Sequence, residues 1–107
     1  MTEQHSVILL MFDLPAVTGA EKKAYRRFRK TLLASGYSAM QESVYVKLLR
    51  SSRTVPSELA ALDKIAPGDC KLHALPLSLA QFKRMTAVRG VPFDFALFSD
   101  DVFVINA

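Results

Sequence analysis

The stretch "SVILLMFDLP" at residues 6–15 constrains this chain more than any other. Six consecutive apolar residues, Val7–Phe12, are followed by an acid, Asp13, then Leu14 and Pro15. A run of this length bounded by turn residues reads as a strand whose two faces are both covered. A strand of that kind sits centrally in a sheet. The chain must therefore supply partner strands and at least one layer of helix. The acid at its end, just before a strongly basic segment, needs a separate explanation.

A length of 107 residues suits one domain, 1–107, with one core. Half the residues are apolar, so general disorder is not expected. No internal repeat is present. The formal net charge is +4, and its surplus lies in the first half. Residues 1–50 hold eight Lys/Arg against four Asp/Glu, whereas residues 51–107 hold six of each. Most of the excess is in "EKKAYRRFRK" (21–30), and a concentrated positive field favours a polyanion. A solvated helix face is the plainer reading of the same charges. The one cysteine, Cys70, allows neither an internal disulfide nor a cysteine metal cluster. Together with "MTEQHS", which lacks the layout of a signal peptide, and the lack of any long apolar run, it leads us to expect a cytoplasmic protein without a membrane span.

Thr18 and Glu21 stand at capping-box spacing, and Ala24, Tyr25, Phe28 and Leu32 then recur at three- and four-residue steps. A helix follows, stopped by "SG" at 35–36. Lys22, Lys23, Arg26, Arg27, Arg29 and Lys30 fill its other face, which would be ~25 Å long. Residues 37–49, "YSAMQESVYVKLL", alternate apolar and polar, which predicts a strand bent near Gln41–Glu42. Val55, Leu59, Leu62 and Ile65 mark a second helix over 55–66. Residues 70–77, "CKLHALPL", read as a strand, for which Pro76 argues an edge position or the strand end. Residues 78–85 read as a short helix or turn, and "DVFVIN" (101–106) as a last strand. This order predicts an α+β ferredoxin-like βαββαβ sandwich, with helices on one face of an antiparallel sheet. The other face is expected to be covered by a second subunit.

Few groups suggest chemistry. There is no glycine-rich phosphate loop and no close pair of histidines; His5 and His73 are isolated, and Cys70 reads as a structural thiol. Asp13 has two readings. It can close a turn, as Asp often does where a strand gives way to a loop. It can also meet its own copy across a two-fold axis. Mg²⁺ is commonly held by one or two carboxylates with phosphates and water. Two facing carboxylates would otherwise repel each other.

The words "MFDLP", "KKAYRRFRKTLLASGY" and "MQESVYVKL", in this order and spacing over residues 6–49, resemble the small, second universal CRISPR-associated protein family. The wording is most like the form found with single-effector (type II) systems. The resemblance is weaker over 50–107, where "LAQFKRM" carries it. It implies a ferredoxin-like homodimer with sheets packed face to face. It also implies that Asp13, one from each subunit, is the Mg²⁺ ligand and catalytic residue of an endonuclease acting on RNA or double-stranded DNA. Tyr25, Arg26, Arg27 and Phe28 match its helix motif. Gln41, Ser43, Val44 and Tyr45 match its second-strand motif, with Ser43 as a supporting group. The family further implies a DNA-binding adaptor that bridges integrase subunits during spacer acquisition, contacting double-stranded DNA, or single-stranded RNA, through the basic helix. Its C-terminal segment would dock on a partner, and "DVFVIN" is the candidate. Alternatives from other classes are a stand-alone toxin-like metal-dependent endoribonuclease and a ferredoxin-like interaction domain without a nucleic-acid role.

Overall fold

The computed structural model describes residues 5–98, save the side chain of Leu97. Its chain order is β1 (Ser6–Asp13), α1 (Gly19–Ala34), β2 (Ser38–Gln41), β3 (Val44–Leu49), α2 (Val55–Ile65), β4 (Lys71–Ser78) and α3 (Leu79–Lys83). Short 3₁₀ turns lie at Ser52–Thr54 and Phe95–Leu97. The four strands form one antiparallel sheet in the order β2-β3-β1-β4. This is the α+β, ferredoxin-like arrangement expected from the pattern. The predicted strand at 101–106 lies outside the described residues.

β1 is apolar on both sides because it is flanked by β3 and β4, covered along one face and covered over its start on the other. Its even residues, Ile8, Leu10 and Phe12, join Phe28 and Leu32 of α1 and Leu62 of α2 in a buried cluster. Phe12 meets Phe28 edge-on, with ring centroids 5.0 Å apart. α1 begins with a complete capping box: the Glu21 amide donates to Thr18 Oγ1 at 3.1 Å, and the Thr18 amide donates to Glu21 Oε1 at 2.9 Å. Those donors hold the Glu21 carboxyl below its ordinary pKa. At its other end Gly36 takes a positive φ of 95°, which lets the chain turn straight into β2.

The bend expected near Gln41–Glu42 is a full reversal. Glu42 and Ser43 form the turn of a β2–β3 hairpin, with a bulge between Ala39 and Gln41. The hairpin is tied to the helix layer by a polar knot. Glu58 of α2 accepts from Lys47 Nζ at 3.1 Å and from the Tyr37 hydroxyl at 2.9 Å. Burial and the neighbouring carboxylate push the Tyr37 hydroxyl pKa far up.

The second subunit expected on the outer face of the sheet would meet only part of it. The chain covers part of it in cis. Val7, Val46 and Leu48 are buried beneath Phe82 of α3 and Phe98, with Phe93 and Phe95 packed around them. Four phenylalanines lie in mutual contact there, the Phe93 and Phe98 centroids 5.1 Å apart. The rest of this face is open: Met11 is 39% exposed, Leu75 is 46% exposed, and His73 is exposed between them and the end of the sheet.

Candidate functional site

Asp13 is the last residue of β1 and is exposed, whereas Phe12 before it and Leu14 after it are buried. The two flanking anchors fix the backbone on either side of the acid. On the β3 side, the Phe12 amide donates to the Ser43 carbonyl at 3.1 Å. That turn is held in place by α1: the Tyr25 hydroxyl donates to the Glu42 carbonyl at 2.9 Å and lies 3.5 Å from Ser43 Oγ. Ser43 therefore sits in the turn flanking the strand that carries the acid. Tyr25 serves both the core, through its ring 5.9 Å from that of Phe12, and the turn, through its hydroxyl.

On the β4 side, the antiparallel ladder sets Asp13 opposite Lys71 and Met11 opposite His73. Strand alternation turns Leu9, Met11 and Asp13 outward together with Leu75, His73 and Lys71. The acid thus lies at one end of the open part of the outer face. Cys70, just before β4, is close enough to feel it: burial, and then the Asp13 charge, push the thiol pKa up. Cys70 is half-buried at the rim of the helix-side core and is a poor nucleophile.

The six basic residues of α1, Lys22, Lys23, Arg26, Arg27, Arg29 and Lys30, are all exposed, and the described helix is 16 residues long. They are grouped on a different surface from the open strip: α1 covers the even-residue face of β1, and Asp13 leads off the odd-residue face. Arg29 turns back towards Tyr45, whose hydroxyl pKa is raised by burial and partly brought back by that guanidinium. The remaining cations point to solvent without a structural duty that accounts for their number. Lys71 is a residue near Asp13 that the sequence pattern did not single out, and His73, which stood there as an isolated histidine, lies opposite Met11 on the same face. Their nearness to the acid is revealed only by the strand register, which pairs residues far apart in the chain.

Among the described residues no group of three or more His, Cys, Asp or Glu side chains could hold a metal ion. At the end of β1 the described residues offer a divalent cation a single carboxylate, Asp13. That donor set fits Mg²⁺ only where a second carboxylate, phosphate oxygens or water complete the shell.

Residues 6–85 match the family model for CRISPR associated protein Cas2. The chain belongs to the Cas2 family. It is 40% identical over 83 residues to the "CRISPR-associated endoribonuclease Cas2" of Streptococcus mutans serotype c (strain NN2025), covering 78% of each chain. The protein of the same name from Acidovorax ebreus (strain TPSY) is 33% identical over 85 residues, 79% of this chain and 83% of that one. That from Campylobacter jejuni subsp. jejuni serotype O:2 is 32% identical over 83 residues, 78% of this chain and 58% of that one. The matched Cas2 region runs from β1 through the short helix α3, so it contains the whole sheet, the acid and the basic helix. Among the described residues no helix is long and apolar enough to cross a membrane.

Proposed function

We propose that this Cas2-family chain works as a homodimer in CRISPR spacer acquisition, with two capacities built on the two sides of its sheet. The first is Mg²⁺-dependent phosphodiester cleavage by an endonuclease centred on Asp13, acting on RNA or double-stranded DNA. The observation that carries it is an exposed carboxylate on a rigid strand end, at the margin of an open apolar strip that a second copy can cover. Packing two such strips face to face removes Met11 and Leu75 from water and brings the two acids towards one axis. Bound Mg²⁺ would supply Lewis-acid stabilisation of the phosphorane charge and a more acidic water. Asp13 holds the ion, Phe12 and Leu14 keep the acid in place, and Ser43 with Tyr25 fixes the adjoining turn.

The second capacity is as an adaptor. Lys22, Lys23, Arg26, Arg27, Arg29 and Lys30 offer a continuous exposed cationic surface that suits the phosphates of double-stranded DNA without reading its sequence. An integrase subunit is the protein partner proposed for this role, by family membership. The protein would act in the cytoplasm, where CRISPR arrays are found.

The test pairs wild type with Asp13→Ala on labelled duplex DNA and single-stranded RNA, in Mg²⁺ and in chelator, scoring binding and cleavage together. The nuclease reading expects cleavage that needs Mg²⁺ and disappears with Asp13. Duplex binding without cleavage in either protein would leave the adaptor alone.

A further inference from the structure

Asp13 does not stand alone at the end of the sheet. Its cross-strand partner, Lys71, opens β4, and both side chains are exposed on the outer face. Residues directly opposite one another in an antiparallel ladder have Cβ atoms about 4.5–5.5 Å apart. Among the described residues the two nevertheless form no ion pair. Carboxylate and ammonium are thus near neighbours, each free to take its own counter-charge. Among the described residues β4 is an edge strand, so Lys71 lies at a side of the sheet from which an extended polyanion can approach.

We propose that Lys71 is the phosphate-holding cation of the Asp13 site. This rests on the reading of Asp13 as a metal ligand. An isolated carboxylate repels a nucleic-acid backbone. An ammonium beside it cancels that repulsion and gives one phosphate oxygen a point of attachment. Lysine suits this task, because its compact charge on a flexible stem follows a phosphate without fixing its geometry. In a two-fold pair the two lysines would also lessen the mutual repulsion of the two acids, without pairing with them. Lys71 therefore competes with the metal but cooperates with the substrate, and these opposite signs make it testable.

The experiment compares the full chain as wild type, Lys71→Ala, Lys71→Arg and Lys64→Ala. Lys64, exposed at the end of α2, controls for the loss of one positive charge. Binding of single-stranded RNA and of duplex DNA is measured in chelator, so that no cleavage occurs. Mn²⁺ alone is titrated by electron paramagnetic resonance without nucleic acid. Lys71→Ala is expected to bind the preferred strand about fivefold more weakly than Lys64→Ala, while Lys71→Arg stays near wild type. Lys71→Ala is expected to take up Mn²⁺ about threefold more tightly, because a neighbouring like charge has gone. Strand binding equal to that of Lys64→Ala would overturn the phosphate role. Mn²⁺ uptake unchanged from wild type would overturn the placement beside the metal acid. Should Asp13→Ala keep its cleavage, the metal reading of Asp13 fails, and the comparison in chelator still decides whether Lys71 holds phosphate.

Discussion

The two faces of β1 contrast sharply. Ile8, Leu10 and Phe12 face the helices and are buried to 7% exposure or less, in a cluster completed by Phe28, Leu32 and Leu62. Val7, Leu9, Met11 and Asp13 face the other way, and their exposure rises along the strand from buried to exposed. The same eight residues therefore serve a closed core on one side and a graded surface on the other. The gradient has a physical source. α3 and the phenylalanines at 93, 95 and 98 cover only the start of the strand, which leaves the end with the acid uncovered. Stability is placed on the even residues and interaction on the odd ones, so the two can be altered separately.

The largest effect should come from breaking the closed face. Phe28→Ala removes a ring packed against Phe12 at the centre of the helix layer, and should cost about 3–5 kcal/mol in denaturant unfolding. Met11→Ala on the open side should cost about 1 kcal/mol or less of protomer stability. Equal losses would erase the distinction between the faces.

A smaller effect tests whether the helix layer has its own outward role. Arg26→Ala with Arg27→Ala should weaken duplex binding about equally for unrelated sequences. The slope of log affinity against log salt should fall by about 2, since each lost phosphate contact removes ~0.9. An unchanged slope would move the DNA surface elsewhere, with Lys47, Arg50 and Arg53 as the next candidates.

The polar knot behind the core makes a pH-dependent prediction. Tyr37 keeps its proton in the folded protein well above the pH, about 10, at which it ionises in an unfolded chain. Above that pH the unfolded state binds fewer protons than the folded one, so stability falls as pH rises. Tyr37→Phe should flatten this alkaline loss, as followed by thermal melting between neutral pH and pH ~11.

The subtlest effect measures how near the acid lies to its neighbours. Asp13→Asn removes one of the two causes that raise the Cys70 thiol pKa, burial being the larger. Alkylation of Cys70 at mildly alkaline pH should speed up by about twofold. An unchanged rate would mean that Asp13 points away from β4.

Much of the closed face was legible in the sequence because its determinants are local. The capping box of Thr18 and Glu21, the spacing of Tyr25, Phe28 and Leu32, and the glycine stop at Gly36 each act within a turn or two of helix. The central place of β1 followed from its unbroken apolar run, and the edge place of β4 from Pro76. The open face was harder to read. "PFDFALF" shows three phenylalanines in six residues, but neither helical nor strand period, so its role as a cover for the sheet depends on where the chain brings it. The turn at Glu42–Ser43 lacks glycine, asparagine and proline, and showed only as a bend. Asp13 stood out because an acid ending an apolar strand is conspicuous. Lys71 did not, because one lysine in "CKLHALPL" acquires meaning only from a register with a strand 58 positions earlier in the chain.

The most direct measurement is sedimentation velocity of wild type and Leu75→Glu, with nuclease activity assayed on the same samples. Leu75 lies in the open strip, opposite Leu9 and away from the acid, so the substitution disturbs the proposed contact between copies without touching Asp13 or Lys71. The wild type should sediment as a dimer at micromolar concentration and cleave in Mg²⁺. Leu75→Glu should sediment as a folded monomer with the same circular dichroism, and its cleavage should be lost. A wild-type monomer that cleaves, or a Leu75→Glu protein that stays dimeric and active, would contradict the assignment of the open strip as the surface that completes the Asp13 site.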